Sequence, residues 1–170
     1  MKKLLLVLCI SLLSFQAKTE ETPGDGRFGL GLQLGFPTAI TGKYWVNNTD
    51  AFDVAISFSS NYYTLIYGDY LWHFPRAFKE NSKFISQLMP YVGVGLGFYS
   101  WSSGYYYKDR PSRWRDSSTD LGVYARVPFG IEWYPVRPPL GIYVELAPGI
   151  AVSPGLWINF DFGIGGRFYF

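Results

Sequence analysis

Few side chains in this sequence could carry chemistry. His73 is the only histidine, within Asp69-Tyr70-Leu71-Trp72-His73-Phe74-Pro75, so a serine–histidine hydrolase would have to use it as its base. No serine follows His73 at close spacing, which leaves Ser57, Ser59 or Ser60 to approach it through the fold. One histidine with scattered carboxylates is too little for a metal's inner ligands, so no metal site is predicted. The glycines of Gly29-x-Gly31-x-x-x-Gly35 have the wrong spacing for a nucleotide fingerprint and precede no helical pattern, and no cofactor is predicted. More telling is a set of charges, Lys43, Asp53, Arg126, Glu132, Glu145, Asp161 and Arg167, with Asp69 and His73 as candidate additions. Each of the seven shares the polar side of an alternating segment. Last comes a run of aromatic and cationic residues, Trp101, Tyr105, Tyr106, Tyr107, Lys108, Arg110, Arg113, Trp114 and Arg115. Stacking and charge suit such a run to sugars or phosphates, although Asp109, Asp116 and Asp120 leave it nearly balanced.

These residues must be positioned by strands, because from Arg27 onward the hydropathy alternates with period two. In 156–170, Leu156, Ile158, Phe160, Phe162, Ile164, Phe168 and Phe170 share one side, while Asn159, Asp161, Gly163, Gly165 and Arg167 share the other. The segment 121–133 repeats this, with Val123, Val127, Phe129 and Ile131 set against Gly122, Tyr124, Arg126, Pro128, Gly130 and Glu132. Segments around 29–36, 52–59, 92–98 and 141–146 follow suit, and 39–46 and 62–74 are strand-like but less cleanly split. Turn signals such as Asn47-Asn48-Thr49-Asp50 and the stretch from Pro148-Gly149 through Pro154-Gly155 separate the segments. The stretch from Phe74 to Met89, with Arg76, Lys79, Glu80 and Lys83, reads as a solvated connection with room for one helical turn. About eight strands result. They are joined as hairpins, so an antiparallel meander closing on itself to remove its edges is predicted.

The start of the chain is different. Met1-Lys2-Lys3, the apolar run Leu4 to Leu13 and the exit Ser14-Phe15-Gln16-Ala17 make residues 1–17 a cleaved secretory signal peptide. Cys9 lies inside that run behind Leu8, which argues against lipidation. Its loss leaves a mature chain with neither a disulfide nor a thiol nucleophile. Removing Lys2 and Lys3 also takes the formal charge from +2 to zero. Residues 18–27 are polar turn formers and are predicted to be a disordered lead-in to a single domain over 28–170. A composition of 48% apolar, 20% aromatic and 16% charged residues excludes a disordered chain, and the weak net charge excludes a basic nucleic-acid binder.

Which face of the closed sheet points inward decides its role. An inward apolar face would make a lipocalin-like secreted binder of apolar ligands, and an outward one a barrel in lipid. Strands long enough to cross a bilayer, glycine clusters on the polar face (Gly29-Gly31-Gly35, Gly93-Gly95-Gly97, Gly163-Gly165) that would let a narrow lumen fit larger neighbours, and aromatics at strand ends (Tyr44, Trp45, Tyr70, Trp72, Trp133, Tyr134, Phe168 to Phe170), as in interfacial girdles, favour lipid. The final strand ends on Phe170, with Phe168, Ile164 and Phe162 at alternate positions on its side. This resembles the terminal assembly signal of bacterial outer-membrane β-barrels, departing from it at Gly166. The whole mature chain resembles the small eight-stranded OmpA/OmpX-type barrels: all-β, up-and-down, transmembrane.

That resemblance implies insertion by the outer-membrane assembly machinery, contact with outer-membrane lipid and lipopolysaccharide, periplasmic termini and a monomer with no nucleic-acid partner. A lumen just wide enough for side chains would make the charged set a plug of ion pairs, with Arg126 diagonal to Glu145 across the hairpin through Pro135 to Pro139. The expected role is structural or adhesin-like, through the loop from Ser100 to Asp120, and not enzymatic. A lipid-modifying enzyme using His73 is the remaining alternative.

Overall fold

The computed structural model describes residues 26–59, 63–75, 77–78, 82–102, 119–135, 137–153 and 156–170. They form the strands β1 (Phe28–Phe36), β2 (Ala39–Trp45), β3 (Asp50–Ser59), β4 (Tyr63–His73), β5 (Leu88–Ser102), β6 (Thr119–Arg126), β7 (Phe129–Trp133), β8 (Leu140–Ser153) and β9 (Trp157–Tyr169). Every pairing is antiparallel. Sequence neighbours pair around the ring, except that β6 and β7 both pair with β5 on one side and β8 on the other, and β9 returns to β1 with Phe168 opposite Leu30 and Ile164 opposite Leu34. The backbone bonds Phe170 N–H to Phe28 O and Phe28 N–H to Phe170 O finish the seam at 2.9 and 3.3 Å.

Nine strands make eight staves. The sequence predicts one strand from Leu121 to Trp133, and the backbone interrupts it at Val127-Pro128, where proline has no N–H for the ladder. Register survives the break. Arg126 faces Gly149 and Phe129 faces Leu146, so no residue is gained or lost. Val127 N–H still donates to Pro148 O at 2.9 Å, and Pro128 O still accepts from Gly93 N–H at 2.7 Å. β6 and β7 thus act as one stave.

The less cleanly patterned segments, 39–46 and 62–74, are β2 and β4. Among its described residues, the connection after β4 contains a 3-10 turn, Ile85–Gln87. At the other end of the predicted lead-in there is a correction. Arg27 belongs to the barrel, because its carbonyl accepts Trp45 N–H at 2.8 Å. The turn between β2 and β3 is held by Asn47, whose Oδ1 accepts the Thr49 and Asp50 N–H groups at 2.7 and 2.8 Å. It lies at the end of the barrel that carries residues 26 and 170, together with the β4–β5 and β7–β8 connections.

Alternation sorts the side chains. Leu30, Leu32, Leu34, Phe52, Val54, Val94, Leu96, Phe98, Leu146, Ile150, Phe160 and Phe162 stand outside, each exposed. On β8 the outward row Ile142, Val144, Leu146, Pro148, Ile150 and Val152 covers ten residue steps, which at the usual rise and tilt is about 25 Å of apolar height. Inside lie Lys43, Asp53, Asp69, Arg126, Glu132, Glu145, Asp161 and Arg167, all buried. Charges form the core and grease forms the surface.

Tyrosines fill the remaining lumen by lying across glycines on the adjacent stave. Tyr143 faces Gly165, Tyr124 and Tyr67 face Gly97, Tyr99 faces Gly122, Tyr91 faces Gly130 and Tyr169 faces Gly29. A Cβ on Gly165 would come within 2.3 Å of the Tyr143 ring, and one on Gly97 within 1.9 Å of the Tyr124 ring. Gly165→Val is therefore expected to push Tyr143 off the backbone and away from Gln33, whose Oε1 accepts the Tyr143 hydroxyl at 3.0 Å. Overpacking with loss of a hydrogen bond should cost about 2–3 kcal/mol, read as a lower urea midpoint of the folded barrel. The outward Gly166→Val, whose new Cβ would meet only Gly141 O at 3.9 Å, should leave that midpoint unchanged.

Candidate functional site

Because β6, β8 and β9 are neighbouring staves and β4 faces them across a narrow barrel, their inward charges converge on Arg126. Its Nη2 pairs with Glu145 Oε1 at 2.5 Å and its Nη1 with Asp161 Oδ2 at 3.3 Å, while Nε faces Asp69 Oδ1 at 3.4 Å. The guanidinium also stacks 3.8 Å from the centre of the Tyr67 ring. Tyr91 donates to Glu145 Oε2 at 2.9 Å and Tyr124 to Asp161 Oδ2 at 3.4 Å. One cation thus gathers three carboxylates.

A second cluster sits nearer the chain termini, where β2, β3, β7 and β9 meet. Lys43 Nζ donates to Glu132 Oε2 at 2.5 Å, to Tyr134 Oη at 3.1 Å and to His73 Nε2 at 2.8 Å. Arg167 pairs with Asp53 through Nη2, faces Glu132 Oε1 at 3.7 Å, and donates from Nε to Thr41 at 3.2 Å. Tyr169 completes Glu132 with a hydroxyl bond of 2.9 Å. Gln33 links the two clusters, its Oε1 accepting from Tyr67, on which Arg126 stacks, at 3.5 Å and from Tyr143, on which Arg167 stacks, at 3.0 Å, while its amide donates to Pro37 O at 3.2 Å. Buried charges need such partners, because desolvation costs several kcal/mol per ion when left uncompensated.

Sequence reasoning placed the charged residues on one face but named only some of the lumen. Gln33, Tyr124, Tyr143 and Tyr169, which share the polar parity, line it as well, and so do Thr41, Trp45 and the tyrosines 67, 91 and 134, which the pattern did not assign. The available signal was period two itself, since each shares the inward parity of a charged or glycine neighbour. The girdle expectation needs correction on the same ground. Trp45, Tyr134 and Tyr169 are buried in the lumen, whereas Tyr44, Trp72, Phe168 and Phe170 stand outside. Adjacent strand residues cannot share a face, so a pair such as Tyr44-Trp45 supplies one member to each.

His73 is not brought together with Ser57 or Ser59 by the fold. Its Nε2 accepts from Lys43, which assigns the proton to Nδ1, 3.2 Å from Thr49 O. Both ring nitrogens are occupied by fixed partners. Ser57 pairs with Leu65 and Ser59 with Tyr63, eight and ten residues along β4 from His73, or roughly 25 Å and more at strand rise. Ser60 lies outside the described residues. Among the described residues no group of three histidine, aspartate or glutamate side chains is placed to hold a metal ion. The lipocalin alternative also fails, because the apolar face it would turn inward is the exposed one and the interior is charged.

No family model and no curated protein matches the chain. Among solved structures, the N-terminal β-barrel domain of Pseudomonas aeruginosa OprF is similar with a TM-score of 0.53 at 15% identity, over 83% of this chain and 95% of that one. The fold is that of the small outer-membrane β-barrels. Neisserial surface protein A gives a TM-score of 0.49 at 15% identity, over 84% of this chain and 93% of that one.

In this barrel fold the outward Phe162, Ile164 and Phe168 lie on the exposed face of β9, and the exposed Phe170 follows the strand directly. Trp101 opens the aromatic and cationic run at the end of β5, and Tyr105, Tyr106, Tyr107, Arg110, Arg113, Trp114 and Arg115 fall outside the described residues.

Proposed function

We propose that the chain is exported on a cleaved signal peptide to the bacterial outer membrane and serves there as a closed barrel with a structural or surface-contact role. It is neither a conducting pore nor an enzyme. The observation that supports this best is the inversion of polarity: about 25 Å of apolar surface outside and mutually paired charges within. Arg126 and Arg167 lie with their guanidinium groups across the lumen, each held by carboxylates from other staves, so ions would have to displace fixed pairs to pass.

The contact element would be the loop from Ser100 to Asp120, whose aromatics and cations suit lipopolysaccharide phosphates, sugars or a host surface. Phe162, Ile164, Phe168 and Phe170 would present the assembly machinery with its recognition signal. The test combines location with conductance. The protein should sediment with outer membranes, migrate faster unheated than boiled, and give no steady conductance in planar bilayers. Recovery in the periplasmic soluble fraction would end the membrane assignment, and stable channel openings would end the plug.

A further inference from the structure

Turns at the termini end of such barrels are usually short, yet the β4–β5 connection here runs from Phe74 through Gln87. Its last part is not loose. Ser86 N–H donates to Ser82 O at 3.0 Å and Gln87 N–H to Phe84 O at 3.2 Å. Gln87 then fastens this turn to the barrel rim twice, its carbonyl accepting Tyr134 N–H at 3.0 Å and its Oε1 accepting the Trp133 indole N–H at 2.9 Å. Trp133 belongs to the outward row, between Leu88 and Ile142. Phe84 packs on its ring at 5.6 Å between centroids and is itself 56% exposed. Phe78 and Phe74 are exposed as well.

The apolar belt therefore does not stop where β7 ends. It continues onto a pinned turn that offers phenylalanine outward, with Lys83 beside Phe84 and exposed. Arg27 and Arg137 lie at the same end of the barrel, where Asp50 is already bonded by the Asn47 amide at 2.8 Å. Aromatic rings next to cations at the end of an apolar belt match a lipid interface, with rings at the acyl boundary and ammonium groups at phosphate level.

We infer that the turn 82–87 is a lipid-binding collar, docking Phe84 into the leaflet at the termini end and placing Lys83 against anionic phospholipid headgroups. This rests on the membrane reading above. The mature chain is expected to lack cysteine, so single substitutions can carry an environment-sensitive label. Phe84→Cys reports the collar, Leu146→Cys the belt and Asn48→Cys the water-exposed turn at the same end. Each is refolded into phosphocholine vesicles with or without phosphoglycerol lipid and probed with headgroup-nitroxide lipid and a water-soluble quencher. Heat-modifiable mobility checks folding of each variant.

Position 84 should be shielded from water and quenched by the nitroxide lipid, unlike position 48. Adding phosphoglycerol should raise the docked-to-undocked ratio about fivefold, and Lys83→Glu should remove that gain. If 84 behaves like 48 while 146 is lipid-shielded, the collar is overturned and the membrane reading stands; if 146 is also water-exposed, the membrane reading itself falls. Equal docking with and without anionic lipid would overturn the part given to Lys83. Shielding of 84 only in cell envelopes, never in vesicles, would assign the patch to a protein and overturn the collar.

Discussion

Arg126→Met should destabilise the folded barrel by about 3–5 kcal/mol, among the largest effects of any single substitution in the lumen. The substitution removes the one cation that Asp69, Glu145 and Asp161 share and leaves three carboxylates facing one another in a closed interior. Methionine fills comparable volume, so the loss reports charge rather than a cavity. The check is urea unfolding in detergent micelles or vesicles, followed by tryptophan emission and by the fraction of heat-modifiable protein. Two further variants separate the causes. Arg126→Met combined with Asp69→Asn, Glu145→Gln and Asp161→Asn should recover most of the stability, because a neutralised cluster no longer needs its counter-ion. Arg126→Lys keeps the charge but loses the simultaneous contacts to Glu145 and Asp161 and the stack on Tyr67, so it should fall between. An Arg126→Met barrel as stable as the parent would mean that the three carboxylates are open to water, and the plug would have to be abandoned.

How far this interior could be read from sequence follows from what each level of structure depends on. Face is decided by parity alone, so Glu145 and Arg167 could be assigned to the polar side from their own strands. Partnership depends on register between strands distant in sequence. Lys43 and Glu132 are 89 residues apart and meet because β2 and β7 project toward one level of a closed ring, which no local pattern states. The tyrosine–glycine pairs were half legible. Glycines on the polar face suggested room for large neighbours, but which tyrosine lies on which glycine again required register. The break at Pro128 was missed because hydropathy ignores donors: the side-chain pattern runs on through a residue that cannot bond at nitrogen. The collar was missed for the opposite reason. Its basic residues suggested a solvated connection, and only Gln87 bonding to Trp133 and Tyr134 shows that the turn is fastened to the rim.

Leu146→Arg is expected to be the most damaging substitution on the outer surface, and its sign separates a lipid-facing wall from a wet one. Leu146 is half exposed at the middle of the β8 outward row, flanked by Phe129 on β7 and Phe162 on β9. In water, exchanging an exposed leucine for arginine changes stability by no more than about 0.5 kcal/mol and often improves solubility. At the middle of a bilayer the same change costs about 2–4 kcal/mol, since a guanidinium must snorkel or draw water inward. The cost should fall toward the ends of the row. Ile142→Arg, four residues nearer the rim, should lose about 0–1 kcal/mol, so depth is read within one strand. The measurement is reversible folding into vesicles over a urea series, with the same variants compared in detergent micelles, where the depth dependence should flatten. A Leu146→Arg protein as stable as the parent in vesicles, or a penalty equal at 142 and 146, would place this surface in water and remove the physical basis for the outward apolar wall.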